Sequence, residues 1–129
     1  MKKLVLILMF ALSTVCFSQS FTTVTFTIPA NDSLSNIIDI QNYIPVSLVM
    51  PSQWTTAQIT FKTGPSSVYN YNDMDGNEII LEPFVGKTIQ IKPQIWYGFG
   101  RYLQIKSGTS SASVAQAQAR IVTLILRGI

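Results

Sequence analysis

The sequence predicts an all-β fold: a single jelly-roll-like β-sandwich of eight or nine strands over residues 21–129, after an N-terminal leader. Three observations predict it. Apolar and polar residues alternate in several short runs, the period of a strand with one face in a core. Those runs recur roughly every ten residues between Pro, Gly, Asn and Ser clusters, the spacing of sandwiches and barrels. No amphipathic helical pattern longer than about two turns interrupts them.

Residues 1–20 read as a signal-peptide-like leader. Lys2 and Lys3 precede an apolar run over residues 4–15, and small residues follow at Ser18 and Ser20. The run is shorter than the roughly 20 residues of a membrane span. Cleavage after Ser20 fits the small-x-small rule, and cleavage after Ser18 is the alternative. Cys16 follows Val15, where a lipid-anchor motif wants a small residue. An uncleaved segment, or a start upstream of the true one, is the competing reading of this stretch. Without residues 1–20 the formal charge falls from +3 to +1, seven basic against six acidic residues. Basicity is therefore no argument for nucleic acid. The single cysteine also goes, so the domain must rely on its apolar core.

The first strand is the clearest. Val24, Phe26 and Ile28 alternate with Thr23, Thr25 and Thr27, a β-branched and aromatic set suited to a pleated sheet. A turn over residues 29–33 ends it. Residues 35–40 form a short strand, residues 42–45 a break ending in Pro45, and residues 46–50 a third strand. Residues 58–62 alternate again, and residues 68–71 form a strand with Tyr69 and Tyr71 on one face. A polar turn over residues 72–77 leads to a strand at 78–81. Ile89 and Ile91 point inward from residues 87–92, and residues 93–100 form a helical turn or an aromatic loop. The closing runs, residues 101–106 and 120–127, are the organising pair, with Leu103, Ile105, Val122, Leu124 and Leu126 inward. Two paired strands are not stable alone, so the earlier segments supply the rest of the sheet. The connection at residues 107–118 is the longest loop, with little to bury.

The candidate chemistry is sparse. The sequence has no His, which removes Ser-His and Cys-His nucleophile pairs and a common metal ligand. No Gly-rich phosphate loop is present, and no cofactor or metal is expected. Asp73, Asp75, Gly76, Asn77 and Glu78 match part of a calcium loop, but the closing acidic ligand is missing. The preferred reading is a hairpin turn. A glycosidase pair among Asp73, Asp75, Glu78 and Glu82 is disfavoured, because so small a domain rarely builds the cleft. The candidate contact residues are aromatic. Trp54, Trp96 and Tyr97 head a set that includes Tyr69, Tyr71, Phe99 and Tyr102, suited to a core, a sugar or a protein partner. Trp96 and Tyr97 fall in a loop, where exposure is expected. Lys87, Lys92, Arg101, Lys106, Arg120 and Arg127 sit at strand ends, as charges that blunt sheet edges do.

Taken together, several segments resemble one group. They are Ile28-Pro29, Ser33-Leu34-Ser35, Met50-Pro51 with Trp54, Ala57-x-Ile59-Thr60-Phe61, and Tyr71-x-Asp73 with Gly76-x-Glu78. The most specific are Gly100-Arg101-Tyr102-Leu103-x-Ile105-x-Ser107-Gly108-Thr109 and Arg120-x-x-Thr123-Leu124-x-Leu126-Arg127. This pattern resembles small β-sandwich virion-associated proteins of tailed phages. The resemblance implies a non-enzymatic structural or attachment role in a virion, with other virion proteins or sister subunits as partners, and no catalytic residues. The closing segment also resembles, in pattern only, galactose-binding-like jelly rolls. The alternative is thus a secreted carbohydrate-binding module using Trp54, Trp96 or Tyr97. No nucleic-acid partner and, once the leader is removed, no membrane association is expected.

Overall fold

The computed structural model describes residues 20–129, and the leader expected at residues 1–20 lies, but for Ser20, outside the described residues. Nine strands and one helical turn follow: β1 (Phe21–Ile28), β2 (Ile38–Asp39), β3 (Tyr43–Val49), β4 (Ile59–Gly64), β5 (Tyr69–Asn70), β6 (Ile80–Leu81), β7 (Thr88–Gln90), α1 (Pro93–Trp96), β8 (Tyr102–Ser107) and β9 (Arg120–Gly128). They form two antiparallel sheets. The first runs β1-β9-β3-β7, and the second runs β2-β8-β4-β5 with β6 also on β4.

β5 and β6 lie along one edge of β4. Tyr69 and Asn70 face Thr63 and Lys62, and Ile80 and Leu81 face Thr60 and Ile59. They are two halves of one strand position, interrupted by the turn between Asn72 and Glu78. Counted this way, eight positions weave between the two sheets in jelly-roll order. The strand count and architecture are those the alternation predicts.

The core is the set of inward residues the alternation marks. Phe26, Ile28, Leu48, Ile59, Leu103, Ile105, Val122 and Leu124 are fully buried, with Phe61, Ile91 and Leu126 close behind. Burying each such side chain is worth about 1.5–3 kcal/mol, so these residues dominate the stability of a domain without a disulfide.

Three expectations are corrected. The closing runs are not partners: β8 sits between β2 and β4 in one sheet, and β9 between β1 and β3 in the other. Each occupies an interior place in its own sheet, so the last third still organises the chain, one strand per layer. Pro45 does not end a segment. It is buried inside β3 opposite Leu126, and the register slips between Pro45 and Ser47. A proline is tolerated there because a bulge already interrupts the ladder. Tyr69 and Tyr71 differ in environment: Tyr69 is exposed, whereas Tyr71 packs on Phe99 with ring centroids 5.0 Å apart.

Candidate functional site

The register places the loops at two ends of the sandwich. β3 runs from Tyr43 at one end to Val49 at the other, and antiparallel β7 starts beside Val49. The segment after β7, including α1, therefore returns to the Tyr43 end. The β3–β4 loop, with Trp54, lies at the Val49 end.

At the Tyr43 end, Pro93 occupies the first turn of α1, where its fixed φ suits a helix and its missing N–H costs nothing. One turn forms, and Phe99 N–H then bonds to Trp96 O at 3.1 Å. The chain folds back so that Phe99 sits between Phe61 (5.2 Å) and Tyr71 (5.0 Å). The Tyr71 hydroxyl donates to the carbonyl of Ile95. Burial pushes that hydroxyl above its ordinary pKa, with the backbone at Gly98 opposing the shift. Trp96 is left half-buried and Tyr97 three-quarters exposed, their rings 4.1 Å apart at 45°. A cavity of about 310 Å³ opens beside them, lined by Tyr43, Ile44, Phe99 and Arg101 among others. Gln41, Asn42 and Arg101 line an adjoining polar hollow of about 330 Å³.

Arg101 is held in place. Its Nε lies 3.0 Å from both carboxylate oxygens of Asp39, and Nη2 lies 2.7 Å from Oδ2. Its guanidinium also lies 5.4 Å from the centre of the Tyr102 ring. The Arg101 hydrogen bonds hold the Asp39 carboxyl below its usual pKa. The arrangement offers aromatic faces beside planar polar groups.

Trp54 belongs elsewhere. Its Nε1 donates to Ala57 O at 3.1 Å, and it lines a separate cavity of about 370 Å³ with Gln58, Glu82, Pro83 and Val85. The three sequence-predicted contact residues thus each border a cavity, but Trp54 is not brought together with Trp96 and Tyr97.

The acidic residues disperse into structural tasks. Asp73 Oδ1 accepts from the N–H groups of Asp75 and Asn77, each at 2.9 Å, and Gly76 adopts φ +84°. That is the hairpin-turn geometry, and it spends the Asp73 carboxylate inside the turn. Glu78 accepts from Ser110, and Glu82 from Gln58. Among the described residues no three His, Cys, Asp or Glu side chains are grouped to hold a metal ion. No helix among them is long and apolar enough to cross a membrane.

One surface was not singled out by sequence reasoning. Residues directly opposite in register share a face. The outer face of the first sheet therefore carries the rows Thr23, Ile125, Ser47, Gln90 and Thr25, Thr123, Val49, Thr88. Phe21 with Arg127 and Ile44, and Thr27 with Ile121, flank them. Among the described residues paired in these rows, Arg127 is the one that carries a charge. The signal was present in the outward threonines of β1, but the cross-strand rows need the register.

No protein-family model matches the chain, and neither a curated protein nor a solved structure gives a significant match.

Proposed function

We propose that this is a non-enzymatic structural or attachment component of a phage virion, acting by protein–protein contact. The observation that carries the contact role is the outer face of the β1-β9-β3-β7 sheet, whose paired rows among the described residues are chiefly Thr, Ile, Val and Ser with one charge. Charge depletion with exposed apolar groups marks the centre of protein interfaces, and stable ones bury roughly 1,200–2,000 Å². Support for the virion setting is the resemblance of residues 100–109 and 120–127 to virion-associated sandwiches. The jelly-roll order itself is neutral, since capsid and lectin domains share it. Mass spectrometry of purified particles beside secreted fractions is the test. Peptides from residues 21–129 are expected in particles; their confinement to the secreted fraction would overturn the reading.

A second reading, a secreted carbohydrate-binding module, rests on a specific observation. Trp96 and Tyr97 border a cavity that also presents Gln41 and Arg101. Aromatic faces stack on sugar rings while planar polar side chains bond hydroxyls. On this reading Trp96→Ala abolishes retention on a polysaccharide column and Trp54→Ala, at the other end, does not. Equal retention of wild type and Trp96→Ala removes it.

A further inference from the structure

Two sheets have four edges, and three are guarded. β7 has three residues and is flanked by Lys87, Lys92 and Pro93. β2 has two residues and carries the Asp39–Arg101 ion pair. β5 and β6 have two residues each and are broken by the Asn72–Glu78 turn. Short length, charge and proline are the usual protections against edge-to-edge pairing. β1 has none of them. It has eight residues, no charge, no proline and an unbroken register with β9.

The free groups on that edge can be assigned. Ser20 O accepts from Gly128 N–H at 2.8 Å, so Ser20 faces β9. By the alternation of an antiparallel ladder, Thr22, Val24, Phe26 and Ile28 also face β9, and Phe21, Thr23, Thr25 and Thr27 turn their N–H and C=O outward. Thr27 is already closed: its N–H donates to Asn36 Oδ1 at 2.7 Å, and its C=O accepts from Asn36 N–H at 3.3 Å. Phe21, Thr23 and Thr25 are exposed, and among the described residues their outward groups have no partner.

We propose that β1 pairs antiparallel with β1 of a second copy of this chain, on a two-fold axis through Thr23. This deepens the contact reading above and rests on it. Asn36 fixes the register, because it stops pairing at Thr27 and leaves a window of three residues centred on Thr23. In that window Thr23 faces Thr23, and Phe21 of each copy faces Thr25 of the other. An identical antiparallel strand returns a C=O for every N–H and an N–H for every C=O, which makes the edge complementary to itself. Neither strand carries a charge that would meet its like. The joined strands also carry the charge-poor outer face across both copies without a break. So short an edge buries less than about 1,200 Å², so the dimer is weak and depends on concentration.

Amide exchange and sedimentation of the full chain across a concentration series are the test. Thr22 and Val24 amides exchange slowly throughout. Phe21, Thr23 and Thr25 amides slow by about tenfold or more as the chain shifts from monomer to dimer. Thr23→Lys, an exposed change that leaves β1–β9 pairing intact, keeps the chain monomeric and those three amides fast. In a Cys16→Ser background, Thr23→Cys oxidises to a covalent dimer, since bonded cross-strand Cα atoms lie about 5.5 Å apart. A monomer at every concentration, a dimer in which the three amides stay fast, or slow amides at monomer mass would each overturn the proposal. None of these results bears on whether the chain co-purifies with particles, so the two readings fail separately.

Discussion

The two ends of the sandwich are built on different chemistry. At the Val49 end, buried Gln116 clamps the loops with hydrogen bonds. Its Oε1 accepts from Thr55 N–H at 2.8 Å, and its Nε2 donates to Thr55 O at 3.1 Å and Ser107 Oγ at 2.7 Å. Its backbone C=O and N–H pair with Asn31 and Asp32. One residue, by its side chain and its backbone together, thus ties the β1–β2, β3–β4 and β8–β9 loops together. At the Tyr43 end, aromatic packing does the equivalent work. Phe61, Phe99 and Tyr71 stack behind α1, and Trp96, Tyr97 and Arg101 are left facing a cavity. A satisfied polar clamp is rigid, and a stacked aromatic end can leave space for a partner.

The sharpest way to break this contrast is Gln116→Ala. It strands the Ser107 hydroxyl in a buried site and the Thr55 backbone in a part-buried one, and a buried orphan costs about 1–3 kcal/mol. A loss of about 3 kcal/mol is expected in urea unfolding, with Tm down by roughly 10–20 °C. A loss under about 1 kcal/mol would show that the clamp is incidental.

The corresponding change at the aromatic end is Gly100→Ala. A Cβ there would meet the Gly64 carbonyl carbon at 2.6 Å and its oxygen at 2.7 Å, backbone that cannot swing away. Destabilisation of about 2 kcal/mol is expected by the same measurement, as for an overpacked core. Gly98→Ala meets the Tyr71 hydroxyl instead, at 2.2 Å. It is expected to displace that ring and to cost less, since a side chain can yield.

The smallest effect concerns Asp39. Its folded pKa lies below the ordinary 3.8, chiefly because Arg101 bonds the carboxylate. A depressed carboxyl contributes stability above its unfolded pKa and loses it as pH falls through the folded value. Titration of the Asp39 carboxyl by NMR should give a midpoint below 3.8, and Arg101→Ala should raise it. The stability change is expected to be slight, because exposed pairs contribute little.

Much of the fold was legible. Strict alternation in β1, β4, β8 and β9 marked the core residues, because a half-buried strand has no other pattern. The sheet each strand joins was not legible, because pairing depends on contacts distant in sequence. That is why residues 101–106 and 120–127 read as partners. Gln116 was invisible for a related reason. A glutamine among Ser and Ala residues reads as solvated until Ser107 and Thr55, the latter 61 positions away, are placed around it. Gln104 likewise sits at an outward position of β8, yet it is buried and bonds Ser35 O at 2.6 Å. The aromatic candidates were legible as residues, but their division between two ends was not.

The central claim is that the outer β1-β9-β3-β7 face works by contact. Thr123 lies mid-face between Thr25 and Val49. Incorporation of Thr123→Glu into purified particles, measured against wild type with folding verified by circular dichroism, tests that claim most directly. The account predicts incorporation reduced about tenfold or more, the expected penalty for a charge placed in a desolvated contact. Unchanged incorporation of a folded Thr123→Glu chain would contradict it.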